Sequence, residues 1–271
     1  MSAPASDLSV EPLEPLVARL VGVDLRTADA ALADRVRHLL AEHGVLVVPD
    51  QHDLDDTGFT AFLRLLGDPV FTVGETPLEG HPDLNVVSNV GRTTPPRSQF
   101  HVDTSYVAVP PAYTSLRAVQ VPEQGGATLF SDQYAAAATL PASLREAVEG
   151  RTARHVVTGL SPDDLGPDAE TEAEHPLLRP HPVSGRETLF LSTPQRMAGI
   201  SGLDDETAAA LVAALLDHSL AEHNLLRHSW AAGDVVIWDN GAVMHKADHA
   251  GVVGDRVMHR GMVAGTRRVT G

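Results

Sequence analysis

His101 and Asp103 lie two residues apart in the stretch Gln99 to Thr104, and another histidine, His245, follows far downstream. Tyr106, Val107 and Val109 give the neighbourhood of the first pair strand character, because aromatic and β-branched residues favour extended chain. Side chains at i and i+2 of a strand share a face, so an imidazole and a carboxylate can converge there on one ion. A His-X-Asp triplet alone is weak evidence, since two polar residues facing water from a surface strand are the ordinary reading. His245 changes the balance. Two histidines and one carboxylate on one side of an ion, with the remaining positions open, make the facial triad of non-haem Fe(II) oxygenases. Three positions of an octahedral ion then stay free, two for a bidentate 2-oxo acid and one for O₂. Of fourteen histidines, only His101 and His245 are taken as ligands. His38 and His43, in a predicted helix and at its end, read as solvated or capping residues.

Arg256 and Arg260 fall in Asp255-Arg-Val-Met-His-Arg-Gly-Met-Val, an apolar run of strand type. Four residues apart on a strand they face one side, with Met258 between them and His259 turned the other way. Guanidinium groups are rarely buried unpaired, so two inward arginines call for two anions. The distal carboxylate of a 2-oxo acid and an acidic group on a substrate would serve, and the planar fork of arginine suits both. The alternative is pairing with acids of the chain itself, which has 36 of them.

These residues must be positioned by a chain of 271 residues, read as a single domain over 1–271. The formal charge of −16 argues against a nucleic acid partner, which needs a basic patch, and against an anionic membrane surface. No cysteine is present, which excludes disulfides and thiolate metal sites, so any metal binds through nitrogen and oxygen. Met1 to Val10 has neither the basic nor the apolar region of a signal peptide, and no apolar run reaches the ~18 residues of a membrane span. A soluble, cytoplasmic homo-oligomer is expected.

Helical spacing of apolar residues predicts helices over Asp29 to His43, Asp55 to Leu66, Asp132 to Leu140, Ala142 to Val148 and Thr207 to Leu220. Short strands are predicted between Leu8 and Leu25, at Val45 to Val48 and Asn85 to Asn89, and through the His101 stretch. Further strands are predicted at Thr114 to Val121, Ala127 to Phe130 and Glu187 to Leu191. The last third reads as β throughout: Leu225 to Trp230, Val235 to Trp238, Ala242 to Lys246 and Asp255 to Ala264. Ser161 to Glu174 is acidic, aperiodic and contains Pro and Gly, and is predicted to be a mobile loop that closes as a lid. Many short strands with a few covering helices point to a mainly β fold with flanking α-helices and a sandwich or jelly-roll core.

The motifs occur in a familiar order: His101-Val-Asp, Pro110-Pro-Ala, Gly125-Gly-Ala-Thr-Leu-Phe and His181-Pro-Val-Ser-Gly. Gly233-Asp-Val-Val-Ile-Trp-Asp-Asn, His245 and Arg256-Val-Met-His-Arg complete the series. Over nearly its whole length the chain resembles the taurine dioxygenase/2,4-D dioxygenase (TauD/TfdA) family of Fe(II)/2-oxoglutarate-dependent dioxygenases. The resemblance implies a double-stranded β-helix (a cupin-like jelly roll), with Fe(II) on His101, Asp103 and His245, and with 2-oxoglutarate and O₂ as co-substrates. It further implies that Thr128 and Arg256 hold the far carboxylate of 2-oxoglutarate and that Arg260 meets an acidic group of a small-molecule substrate. Two departures bear on that substrate. The segment from Val70 reads Val-Phe-Thr-Val-Gly-Glu, without the His and Tyr of the taurine-specific members. Arg97 stands where those members carry an amide, and is a candidate substrate contact. The presence of Asp103 argues against the halide-binding variant, which lacks the carboxylate. A Zn²⁺ hydrolase on the same triad, or a non-catalytic jelly-roll binding protein, are the rival readings. Neither accounts for the two inward arginines.

Overall fold

The computed structural model describes residues 9–13, 16–72, 75–92, 98–160, 165 and 169–266. Strands β1 (Ser9–Pro12) and β2 (Val17–Val21) open it. Helix α1 (Ala30–His43) begins where Asp29 accepts from the Leu32 N–H at 2.8 Å. It stops at Gly44, whose φ of 70° is left-handed. Strand β3 (Val45–Val48) leads to α2 (Asp56–Leu66), capped by Asp55 in the same way as α1 by Asp29. Then come β4 (Pro69–Val70), β5 (Pro77–Leu78), β6 (His81–Ser88), β7 (Tyr113–Gln120) and β8 (Thr128–Asp132). Helices α3 (Gln133–Ala138) and α4 (Ala142–Val148) precede β9 (Thr152–Val156), β10 (Glu172–Pro176), β11 (Leu178–Pro180), β12 (Glu187–Leu189) and β13 (Met197–Ile200). Helix α5 (Asp205–Ser219) is followed by β14 (Leu225–His228), β15 (Val235–Asp239), β16 (Val243–Ala247) and β17 (Val257–Val263).

The larger sheet runs β1-β2-β3-β15-β7-β17-β6-β5, with β4 attached to β17, and the smaller runs β14-β8-β16. Period-two alternation explains why they face each other. On β15, Val236 and Trp238 turn into the space between the sheets, where they meet Phe130 of β8, Val243 of β16 and Met258 of β17. Val235 and Ile237 turn the other way, onto a layer that holds Leu40 of α1 and Phe59 and Phe62 of α2. Strand β3 divides likewise, Val45 and Val47 inward and Leu46 and Val48 outward. Covering on both faces is why these two strands read as unbroken apolar runs. On the far side of the smaller sheet, Met244 packs with Leu211 and Leu215 of α5 and Ala136 of α3. Its neighbours Val243 and His245 are thereby left pointing inward. This is the double-stranded β-helix with flanking helices that the sequence implied.

The acidic stretch from Ser161 departs from expectation. Its end, Glu172 to Glu174, belongs to β10, which pairs antiparallel with β9. Ala173 and His175 are buried there while Glu172 and Glu174 are exposed, an alternation hidden in the sequence by the small and polar inward residues. Glu170 accepts a bond from the Ala108 N–H at 2.7 Å, which ties this stretch to the chain just beyond Asp103. Residues 161–164 and 166–168, where the lid was expected, lie outside the described residues. Among the described residues, no helix is long and apolar enough to cross a membrane.

Candidate metal centre and co-substrate pocket

The fold brings His101, Asp103 and His245 together, with one ligand atom from each lying within 4.8 Å of the others. The order is not the one that i, i+2 spacing suggested. His101 forms only an isolated bridge with His245 of β16, the two residues exchanging backbone bonds at 3.1 and 3.0 Å. Asp103 lies beyond it in a turn, followed by Thr104 at φ 41°. The two histidines are therefore cross-strand neighbours, their rings 4.3 Å apart, and the turn swings the carboxylate between them. Asp103 Oδ1 lies 3.5 Å from His101 Nε2, and Oδ2 lies 3.7 Å from His245 Nε2.

Protonation suits a cation. His101 Nδ1 bonds to the Gln99 carbonyl at 2.8 Å, and a carbonyl can only accept, so the lone pair of the neutral ring sits on Nε2. Burial pushes His245 down to about 3, leaving a neutral imidazole that can ligate. Burial alone would raise the Asp103 carboxyl. The positive charge of Arg260, 3.8 Å away, lies among the groups that outweigh burial and hold the carboxyl ionised, well below the usual carboxylate range. Two imidazoles and one carboxylate, open on one side, are a donor set that fits Fe(II).

Residues from elsewhere fix this arrangement. Thr114 of β7 donates to Asp103 Oδ2 at 2.7 Å, and Asn240 donates to the Thr114 hydroxyl at 2.9 Å. Arg196 donates to the Val102 carbonyl at 3.2 Å from beneath the turn. Trp238 lies against His245, ring centroids 4.6 Å apart. The His181 motif has a structural part. His181 Nδ1 accepts from the Ser184 N–H, so Nε2 donates to Asp239 Oδ2 at 3.0 Å, at the end of β15. Sequence reasoning missed Thr114 and Arg196 as partners, whereas His181, Trp238, Asp239 and Asn240 fall within motifs it singles out.

A cavity of about 690 Å³ opens from the two histidines and is lined also by Thr128, Arg256, Arg260 and Glu75. Arg256 precedes β17 and is buried, its Nε donating to the Gly126 carbonyl at 2.9 Å. Gly126 is required there: its φ is +74°, and a Cβ would lie 3.1 Å from Arg256 Cδ. Burial pushes the Arg256 guanidinium down to about 10, so it remains charged at neutral pH. Its Nη2 has no partner among the described residues. The Thr128 hydroxyl accepts from Trp230 Nε1 at 3.1 Å, which leaves its own proton to donate. A charged fork and a free hydroxyl proton in one cavity can hold a carboxylate.

Arg260 reaches the same cavity, but the structure differs from expectation in what it meets. Its Nη2 is ion-paired with Glu75, so an acid of the chain itself takes this guanidinium. His259, as expected, points to the opposite face, where it meets Asp56 of α2 at 2.6 Å. Arg97 lies outside the described residues.

Comparison with known proteins agrees with this geometry. The family described as taurine catabolism dioxygenase TauD, TfdA family matches residues 9–262. The chain belongs to the TauD/TfdA family. An alpha-ketoglutarate-dependent sulfate ester dioxygenase of Pseudomonas putida is 31% identical, over 96% of this chain and 91% of its own. An alpha-ketoglutarate-dependent 2,4-dichlorophenoxyacetate dioxygenase of Cupriavidus pinatubonensis is 31% identical, over 92% and 95%. The crystal structure of a taurine dioxygenase from Burkholderia xenovorans superposes with a TM-score of 0.81 at 30% identity, covering 95% of this chain and 91% of that one. As a TauD/TfdA member with the His/Asp/His cluster in place, the protein is an Fe(II)- and 2-oxoglutarate-dependent dioxygenase acting on a small molecule.

Proposed function

We propose that His101, Asp103 and His245 hold the iron, that Arg256 and Thr128 bind the distal carboxylate of 2-oxoglutarate, and that Arg260 receives an anionic group of the substrate. The observation that carries this reading is Arg256, a buried, charged guanidinium that has no carboxylate partner among the described residues and lines the same cavity as the histidine pair. Such a group is costly to bury unless an anion arrives with the co-substrate. A hydrolase on the same triad would give it no task.

Iron held by these ligands would activate O₂, the oxidant, whose two oxygen atoms would end in succinate, released with CO₂, and in the C–OH formed from a substrate C–H. The protein's part is placement. Thr114 and Asn240 hold the Asp103 carboxylate, Arg256 fixes the far end of the oxo acid, and the apolar wall of Leu116 and Trp238 excludes water. Removing an outer partner of a metal ligand typically costs ~10–100-fold in metal affinity. Thr114→Val is expected to weaken Fe(II) binding within that range in a metal titration, and undiminished affinity would show that Asp103 needs no such support.

The sulfate ester, sulfonate and aryloxyacetate chemistry of the relatives supports an anionic substrate. The test is succinate release over alkyl sulfates, alkanesulfonates and aryloxyacetates, each beside a neutral alcohol or ether of matched skeleton. Anions should stimulate turnover and neutral analogues should not. Arg260→Ala should weaken the active anions and release succinate without matching product. Equal stimulation by neutral analogues, unaffected by Arg260→Ala, would remove the anion from the reading.

A further inference from the structure

The two arginines of the cavity are not equivalent. Among the described residues Arg256 has no carboxylate partner, whereas Arg260 has acceptors beside all three of its nitrogens. Its Nη2 pairs with Glu75 Oε2, its Nε donates to Asn85 Oδ1 at 3.1 Å, and its Nη1 lies 3.8 Å from Asp103 Oδ1. Asn85 lies opposite Arg260 in the β6–β17 register and donates from Nδ2 to the same Glu75 oxygen at 2.5 Å. Glu75 Oε2 thus takes two converging donors, the place where an oxygen of a substrate anion would sit. The carboxylate comes from the short segment before β5 and lines the cavity. It is also the outer partner, with 32% of its side chain exposed against 14% for Arg260.

We propose that Glu75 is an internal competitor for the substrate anion, filling its position on Arg260 and giving way to it, so that Glu75 sets the enzyme's affinity and selectivity for anions. The proposal rests on the reading of Arg260 given above. A part-exposed ion pair of this kind is worth little net free energy, because released Glu75 regains water and side-chain freedom. The guanidinium, more deeply held by Asn85 and the sheet, stays in place. A substrate anion must then replace both bonds that Oε2 accepts, from Arg260 Nη2 and from Asn85 Nδ2. Apparent affinity is reduced by the fraction of enzyme in which Glu75 holds the site. Anions that offer one oxygen to both donors are favoured over those that cannot, and neutral molecules do not feel the competition.

Glu75→Gln tests this, because the amide oxygen can still accept from both donors while the competing charge is gone. The probes are hexyl sulfate and 1-hexanol, titrated calorimetrically into the enzyme loaded with Fe(II) and 2-oxoglutarate in the absence of O₂. The substitution should tighten hexyl sulfate by about 3- to 6-fold, the range open to a competing pair worth up to ~1 kcal/mol. It should change 1-hexanol by less than about twofold, and the gain should vanish when Arg260→Gln is added. Hexyl sulfate binding that is unchanged, weaker or undetectable in both proteins, with 2-oxoglutarate affinity retained, overturns the proposal. Arg260→Gln alone separates the two levels. If it leaves hexyl sulfate affinity as in the unsubstituted enzyme, Arg260 is not the anion site, and the parent reading fails together with the role of Glu75.

Discussion

Asp103→Ala should abolish 2-oxoglutarate turnover and weaken Fe(II) binding by more than about 100-fold, beyond the ~10–100-fold that loss of an outer partner costs. The reason lies in charge as much as in geometry. Neither imidazole carries negative charge, so Asp103 is the only anion in the cluster. Without it the site offers two imidazoles to a dication, with Arg260 Nη1 left 3.8 Å from where the carboxylate oxygen was. A metal titration followed by succinate assay reads both effects. Retained turnover in this variant would assign the ligand role elsewhere.

Arg256→Ala should raise the apparent KM for 2-oxoglutarate by about 30-fold or more, with Fe(II) affinity little changed. Truncating one side of a desolvated, charge-assisted pair typically costs ~2–5 kcal/mol, and each 1.4 kcal/mol is a factor of about ten. Arg256 qualifies because it is buried and, apart from the Gly126 carbonyl, finds no acceptor among the described residues. Arg260 does not qualify in the same way, since Glu75 already neutralises it. Arg260→Ala should therefore leave 2-oxoglutarate binding nearly intact. Kinetics with 2-oxoglutarate as the varied substrate distinguish the two arginines, and a larger effect at Arg260 would exchange their roles.

Much of this architecture is legible because it rests on local rules. Asp29 and Asp55 cap the helices they precede, and the apolar runs of β3 and β15 are strands covered on both faces. Met258 between Arg256 and Arg260 correctly announces an inward face. Other features depend on contacts that the sequence separates widely. The turn that carries Asp103 is held by Thr114 and Arg196, neither of which marks itself in a local pattern. Strand β10 carries Ala and His at its inward positions, so its period of two escapes a search for apolar residues. Glu75 meets Arg260 across 185 positions of chain, and one acid among 36 gives no hint of that partner. Although the turn at Asp103 is not the strand that the spacing suggested, the candidate ligands and the two arginines were readable as residue types. The inequality of the two arginines was not, because it depends on what each guanidinium touches.

The most direct test is an anaerobic absorbance titration of the protein with Fe(II) in the presence of 2-oxoglutarate, following the visible charge-transfer band of the chelated oxo acid. A band that saturates at one Fe(II) per chain, is lost in Asp103→Ala, and needs far more 2-oxoglutarate in Arg256→Ala is the predicted result. The absence of any band at saturating Fe(II) and 2-oxoglutarate, or a band indifferent to both substitutions, would contradict the assignment of this site.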